Sequence, residues 1–175
     1  ETIKYMAVAA MVLNHFAYIF LIEGSFLYEV FTDIGYFTAI TMCFFLVEGY
    51  GYTSSKRRYG VRLGVFALVS QVPYMMAFSG EGLMEFHSLN MIFSLFICYL
   101  ILVAFDRIYD VNLRFFVVSA LALVSLICDW SLFAPAFVLL FIWAGESKER
   151  RGMVFQVSAA VFCVFNFVSR LGQCP

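Results

Sequence analysis

The stretch that decides the fold is KYMAVAAMVLNHFAYIFLI, residues 4–22. From Met6 onwards it is almost wholly apolar, yet Asn14 and His15 lie side by side near its centre. The hydrocarbon core of a bilayer is about 30 Å thick and a helix rises about 1.5 Å per residue, so roughly 20 apolar residues span it. The stretch therefore predicts a membrane-spanning helix with two polar groups near the bilayer midplane.

The composition of the whole chain fits the same class of protein. Of the 175 residues, 63% are hydrophobic and 13% are charged, whereas an ordinary soluble domain is about half apolar and about a quarter charged. We expect a single integral-membrane domain over residues 1–175, trimmed at both ends. The first apolar run lacks a small-residue cleavage site, which favours an anchor over a signal peptide. The five cysteines form no C-x-x-C pair, and we expect them to be core or lipid-facing residues.

Seven segments of this kind predict an all-α transmembrane bundle with about seven spans. They cover residues 4–22, 33–50, 61–78, 89–105, 113–128, 132–144 and 153–168. The fifth and sixth segments are short and are joined by residues 129–131. A re-entrant pair is therefore an alternative to two spans, although charges on both sides favour two spans.

The connections between the segments alternate in charge. Basic or mixed connections lie around Lys4, at residues 56–58 with Arg62, at 107–114 and at 148–151. The other connections hold Glu23, Glu29, Asp33, Glu81, Glu85, His87 and Asp129 and contain no Lys or Arg. Lys and Arg are enriched in cytoplasmic loops, so we expect a cytoplasmic N-terminus, cytoplasmic basic loops and outward-facing acidic loops.

Ionisable and amide groups at membrane depth usually face a bundle interior or an aqueous cavity. If the polar faces of the helices converge, they form one chamber open toward the outside with a basic mouth on the cytoplasmic side. The residues expected in the chamber are Asn14, His15, Asp33, Gln71, His87, Asn90 and Asp129. The mouth is expected to hold Glu48, Lys56, Arg57, Arg58 and Arg62.

Simpler interpretations of the same residues stay open. Asn14 and Gln71 also suit hydrogen bonds between helices, and Asp33 and Asp129 suit helix caps at the membrane interface. His15 also suits a structural histidine. Two distant histidines make a poor metal site, and no G-x-S-x-G or P-loop motif is present. The basic loops are short and adjacent to the membrane, so nothing supports nucleic-acid binding.

Several short motifs in a fixed order resemble one known family. They are Met11-x-x-Asn14-His15, Asp33-Ile34-Gly35, Val47-Glu48-Gly49-Tyr50, Ser70-Gln71-Val72-Pro73-Tyr74, Asn90-x-x-Phe93-Ser94-Leu95 and Asp129-Trp130. This order resembles the TraX-like family of membrane acetyltransferases, named for the protein that acetylates the N-terminus of conjugative pilin. The chain departs from the family pattern where Asn14 replaces an acid and where the run from Gly35 lacks an arginine and a proline.

The resemblance implies transfer of an acetyl group from cytosolic acetyl-CoA to a peptide, glycan or lipid acceptor, in the inner membrane of a bacterium. The basic mouth would bind the CoA phosphates. His15 would be the general base, with His87 as its rival, and Asp33 would orient it. Asn14, Gln71 or Asn90 would stabilise the thioester oxyanion, and Asp129 would belong to the same substrate site. No metal is expected.

Two alternatives belong to other classes of protein. One is a small transporter or permease subunit whose polar chamber is a substrate path. The other is a non-catalytic membrane partner of a conjugation or secretion machine. The second alternative predicts that His15 can be replaced without loss of function.

Overall fold

A computed structural model describes residues 2–22, 24–78 and 88–171, and within these ranges the chain is all helical, with seven α-helices and one short 3-10 helix. The α-helices are α1 (Thr2–Phe20), α2 (Phe26–Tyr52), α3 (Lys56–Phe78), α4 (Met91–Arg107), α5 (Val111–Val124), α6 (Phe133–Ala144) and α7 (Lys148–Leu171). The 3-10 helix, Ser125–Ile127, follows α5 directly. The prediction of an all-α chain is confirmed for the described residues.

The basic run at residues 56–58 is not a loop as predicted, because α3 begins at Lys56. The Ser55 hydroxyl accepts a hydrogen bond from the backbone N–H of Arg58 at 3.4 Å, and the Ser55 carbonyl accepts one from Tyr59. A serine in this position caps a helix, and Lys and Arg are good helix formers. The same correction applies to residues 148–151, where Ser147 precedes α7 and its carbonyl accepts from Arg151.

Asp33 does not open the second helix as predicted. The helix begins at Phe26, and the Ser25 hydroxyl accepts from the backbone N–H of Tyr28 at 3.3 Å while its carbonyl accepts from Glu29. Ser25 therefore caps α2, and Asp33 lies two turns inside it with an exposed side chain. The apolar pattern could not place this start, because residues 26–32 mix apolar residues with Glu29.

Two of the described helices are long and apolar enough to cross a membrane, Phe26–Tyr52 and Lys56–Ala77. Shorter apolar helices are Tyr5–Phe20, Val111–Ile127 and Phe133–Ala144. The second long helix is also poorly covered, since Val65, Phe66 and Val69 are more than half exposed. Exposed apolar surface of this extent is unusual on a soluble monomer.

The chain divides into two compact units. Unit 1 consists of Glu1–Met42 and Leu140–Pro175. Its buried residues include Ala17, Ile40 and Phe141. The ring of Phe155 on α7 lies 5.4 Å from Phe141 and 6.5 Å from Phe37, centroid to centroid. These aromatic contacts join α7 to the parts of α2 and α6 that belong to this unit.

Unit 2 is Cys43–Leu139 and has α4 at its centre. The buried residues of α4 include Ile97, Cys98 and Ile101. The described cysteines Cys43, Cys98 and Cys128 are free thiols and buried in this unit, which agrees with the expected packing role. An isolated parallel bridge pairs Leu89 with Cys128, so the segment before α4 is held against the end of the 3-10 helix.

Small residues on α3 set its contact with the antiparallel α4. A Cβ added at Gly60 would overlap the Tyr99 ring, and one at Gly64 would lie 3.2 Å from the Phe96 ring. Ala67, one turn further along α3, is fully buried. Spacing of small residues by three or four positions lets two helices approach closely. Here the start of α3 lies beside the end of α4, and the later turns of α3 lie beside the start of α4.

Candidate functional site

In unit 1, Asn14 of α1 packs directly on the backbone of α2 at Gly35. A Cβ at Gly35 would overlap the Asn14 side chain, so glycine is needed for this approach. Asp33 lies two residues before Gly35, and His15 follows Asn14. The contact therefore places three predicted site residues, Asn14, His15 and Asp33, at the same level of the α1–α2 pair.

The half-buried His15 ring is held by its own helix. Its Nδ1 atom lies 2.8 Å from the carbonyl oxygen of Met11, four residues earlier. A carbonyl accepts and cannot donate, so Nδ1 carries the hydrogen. In the neutral ring the lone pair is then on Nε2. This tautomer makes Nε2 the proton acceptor that a general base requires.

In unit 2, the Asn90 side chain caps α4 and also bonds α3. Its Oδ1 accepts from the backbone N–H groups of Ile92 at 2.9 Å and Phe93 at 3.2 Å. Its Nδ2 donates to the Ala67 carbonyl at 3.2 Å and to the Ser70 hydroxyl at 3.0 Å. Both amide hydrogens are thus in use, so donation to an oxyanion would require one of these bonds to break.

Gln71 and Asp129 lie beside Asn90. The Gln71 Oε1 accepts from the backbone N–H of Asn90 at 2.9 Å, and its Nε2 donates to the Ser88 carbonyl at 3.0 Å. The Asp129 backbone N–H donates to the Leu89 carbonyl at 2.8 Å. Three of the four predicted substrate residues therefore meet in one cluster, which we call the polar cluster.

The polar cluster also includes Tyr74 and Ser88, which were not among the predicted catalytic, substrate or cofactor residues. Their hydroxyl oxygens lie 2.9 Å apart. The Asp129 carboxylate also interacts electrostatically with the Tyr74 phenol. Tyr74 stands four residues after Ser70 and three after Gln71, so helical spacing alone could have placed it on the same face. No local pattern indicates that Ser88 faces it.

At the other end of α3, Lys56 is bound to a residue that the sequence did not single out. Its Nζ donates to Asp106 Oδ2 at 2.9 Å and lies 4.8 Å from the centroid of the Tyr50 ring. The Tyr50 hydroxyl also donates to Asp106, at 3.3 Å. The hydrogen bond from Lys56 lowers the pKa of the Asp106 carboxyl.

The other basic residues predicted at the mouth separate into two sets. Arg57 lines a cavity of about 530 Å³ beside the α3–α4 contact, together with Lys56 and Arg107. Arg58 and Arg62 are exposed, lie four residues apart on α3 and are not part of that lining. Glu48 is half-buried in α2.

The predicted site residues thus fall into three places. Asn14, His15 and Asp33 belong to unit 1, whereas the polar cluster and the basic end of α3 belong to unit 2. His87 lies outside the described residues. Within the described part of the chain, no group of three or more His, Cys, Asp or Glu side chains is arranged to hold a metal ion.

Comparison with known proteins gives two matches. The chain matches the sequence model of the family described as "TraX protein" over residues 1–172. It is also 33% identical over 163 residues to a protein of Dichelobacter nodosus described as "Probable fimbrial assembly protein FimC, serogroup H1", and the alignment covers 90% of this chain and 67% of that protein. No solved structure matches the chain.

Proposed function

This chain belongs to the TraX protein family, and from that membership we propose that it is a multi-pass protein of the bacterial inner membrane that transfers an acetyl group from cytosolic acetyl-CoA to the N-terminal amine of a pilin-like peptide. The observation that carries the proposal is the 2.8 Å distance between His15 Nδ1 and the Met11 carbonyl oxygen. An imidazole in an apolar helix, with its Nδ1–H donated to Met11, offers Nε2 as a base.

Membrane insertion is supported by the apolar helices and by the exposed surface of α3. Phe66, Leu68 and Val69 are each about two-thirds exposed, which suits contact with lipid and not with water. We propose that all seven helices are embedded, with the basic ends of α3 and α7 in the cytoplasm. In that orientation the basic end of α3 faces the compartment that supplies acetyl-CoA.

The proposed reaction is direct transfer without a covalent enzyme intermediate. The acceptor amine attacks the thioester carbonyl carbon, so a C–N bond forms and the C–S bond breaks. His15 Nε2 accepts the proton that the amine releases and then donates it to the departing CoA thiolate. Asp33 stabilises the charged imidazole, and backbone or amide donors stabilise the oxyanion.

The CoA phosphates are assigned to the basic end of α3. Arg58 and Arg62 share one exposed face, and guanidinium groups bind phosphate oxygens in a bidentate manner. Lys56 contributes less, because Asp106 already balances its charge. Of the five residues predicted at the mouth, the proposal therefore gives phosphate binding mainly to Arg58 and Arg62.

The test measures acetyl transfer in membranes from cells that express the native chain, His15→Ala, His15→Gln, His87→Ala or Gln156→Ala. Radiolabelled acetyl-CoA is the donor. The acceptor is a synthetic pilin-like peptide with a free N-terminus, and the same peptide with a blocked N-terminus is its control. Gln156 is exposed on α7 and serves as the matched substitution outside the site.

The native chain and Gln156→Ala should label the free peptide and leave the blocked peptide unlabelled. Loss of a general base lowers the rate about 10²- to 10⁴-fold, so both His15 variants should fall at least a hundredfold. Equal labelling by the native chain and the His15 variants would remove His15 as the base. Loss with His87→Ala alone would move that role to His87.

A second function is favoured by the printed name of the relative, which describes a probable fimbrial assembly protein. In this case the chain is a non-catalytic membrane partner in pilus or fimbria formation. Pilus assembly would then persist in cells that carry His15→Ala, and no membrane would label the peptide above the level of membranes that lack the chain.

A further inference from the structure

The cavity beside the α3–α4 contact is a groove with a basic rim and an apolar body. The rim is lined by Lys56, Arg57 and Arg107 with Tyr50. The body is lined by Val61, Val65, Leu68, Phe96, Tyr99 and Val103. From these walls we propose that the groove binds one anionic phospholipid, with its phosphate at Arg57 and Arg107 and one acyl chain along the body.

The charge of the rim fits an anionic headgroup. Asp106 is bonded to Lys56, so that pair is close to neutral. Arg57 and Arg107 are exposed and, within the described residues, form no salt bridge with a carboxylate. Two guanidinium groups at the edge of an apolar groove are matched by a phosphate that carries a hydrocarbon chain.

The body of the groove fits hydrocarbon and disfavours a polar arm. Its walls are alkyl and aromatic carbon, and the Tyr99 hydroxyl already donates to the Lys56 carbonyl at 2.9 Å. A pantetheine arm has two amides, and buried amides without hydrogen-bond partners lose about 1–3 kcal/mol each. An acyl chain has no such groups, so the groove is distinct from the proposed CoA site at Arg58 and Arg62.

The length of the groove also fits one lipid leaflet. From Lys56 to Leu68 the helix advances about 18 Å at about 1.5 Å per residue. Half of a hydrocarbon core of about 30 Å is about 15 Å. Gly60 and Gly64 make the floor, because the Tyr99 and Phe96 rings can lie close to α3 at these positions.

The inference depends on the membrane location in the proposed function and not on acetyl transfer. Its test therefore omits peptide and measures bound lipid directly. The purified chain is reconstituted in nanodiscs of phosphatidylcholine and phosphatidylglycerol at equal amounts, then released into detergent. Native mass spectrometry then gives the ratio of the two lipids on the folded protein.

Four proteins are compared: the native chain, Arg57→Gln/Arg107→Gln, Arg58→Gln/Arg62→Gln and Val65→Trp. The second double variant removes the same charge from the same end of α3 without touching the groove lining. Val65→Trp keeps every charge and fills the body, and Val65 is 52% exposed, so the larger ring disturbs little packing.

We expect the native chain to retain phosphatidylglycerol in preference to phosphatidylcholine. Each basic residue near a lipid surface contributes about a fivefold factor, so Arg57→Gln/Arg107→Gln should lower the preference about 25-fold. Arg58→Gln/Arg62→Gln should keep it, and Val65→Trp should lose bound lipid. Equal retention by the two double variants, or full retention by Val65→Trp, would overturn the proposal.

A competition arm separates the lipid from the acetyl donor. Acetyl-CoA is added to the native chain before release into detergent. If the groove is a lipid site, phosphatidylglycerol stays bound at the same ratio. Displacement by acetyl-CoA would overturn the lipid assignment and give the groove to the donor, whatever the peptide-labelling assay shows.

Discussion

The Lys56 ammonium and the Asp106 carboxylate lie 2.9 Å apart and join the first turn of α3 to the last turn of α4. Fifty residues separate them in the chain. Their side chains are 41% and 38% exposed, so solvent screens the pair. Exposed ion pairs typically contribute about 0.2–1 kcal/mol. We therefore infer that the ion pair adds little to stability. The close packing of α3 on α4 at Gly60, Gly64 and Ala67 is the main contact between the two helices.

The ion pair should make a small part of the stability dependent on pH. The pKa of Asp106 is lowered from its ordinary value of 3.8 by Lys56. A carboxyl group whose pKa is lowered in the folded state stabilises the fold at pH values above its ordinary pKa. This contribution is lost as the pH falls through the lowered pKa. Thermal unfolding in detergent should show Asp106→Asn less stable than the native chain at neutral pH. The difference should vanish in stronger acid, and a difference that grows in acid would contradict the assignment.

Gly60→Ala should destabilise unit 2. The added methyl group would overlap the Tyr99 ring, which is buried and bonded to the Lys56 carbonyl and so cannot simply move aside. Overpacking of this kind costs about 1–3 kcal/mol of unfolding free energy. Gly51→Ala is the matched control, because a Cβ there meets no atom within 4 Å. It should be neutral or slightly stabilising, and equal effects of the two substitutions would rule out close helix packing at Gly60.

Asn90→Ala should destabilise the chain more than the removal of an ordinary cap. It deletes the cap of α4 and two bonds to α3, so we expect a loss of about 2–4 kcal/mol in unfolding free energy. Asp110→Ala removes the exposed cap of α5 and should cost about 1 kcal/mol. Acetyl transfer lost with unchanged stability in Asn90→Ala would instead favour the predicted oxyanion role.

Gly35→Ala should separate α1 from α2 near the proposed base. The new Cβ would overlap the Asn14 side chain, and the cost should be about 1–3 kcal/mol of unfolding free energy. The double variant Gly35→Ala/Asn14→Ala removes the amide from the overlap and should recover part of that loss. Chemical denaturation in detergent gives the unfolding free energies of the native chain, the two single variants and the double variant, which together form a double-mutant cycle. Strict additivity of the two substitutions would show that the residues do not touch.

Local features of the fold were predictable because their causes are local. Helical class follows from apolar runs of roughly span length, and helix bounds were placed within two residues at the start of α4, α5 and α6. The starts of α2, α3 and α7 were missed. In each case the helix begins directly after a serine and its first turn includes charged residues, whereas the apolar pattern was expected to begin it.

The residues of the candidate site were predicted from their polarity, whereas their hydrogen-bond partners were not predicted. Gln71, Asn90 and Asp129 were predicted together, and they meet in the polar cluster. The contacts with Ser88 and with Asp106, the partner of Lys56, were not predicted, because no local pattern joins residues of different elements. Tyr74 could have been placed by its helical spacing from Ser70 and Gln71. The predicted mouth was a single set, whereas helical direction points Arg57 into the groove and leaves Arg58 and Arg62 outside its lining.

The sequence by itself determined that the chain is helical and apolar, with Asn14 and His15 inside a hydrophobic helix. These properties depend on hydrophobic runs and helical period, which are visible in one dimension. Only the tertiary structure decided which groups touch: Asn14 with Gly35, Asn90 with Ala67, and Lys56 with Asp106. Such contacts depend on how closely two helices approach, and that distance is set by small residues and side-chain fit across the interface.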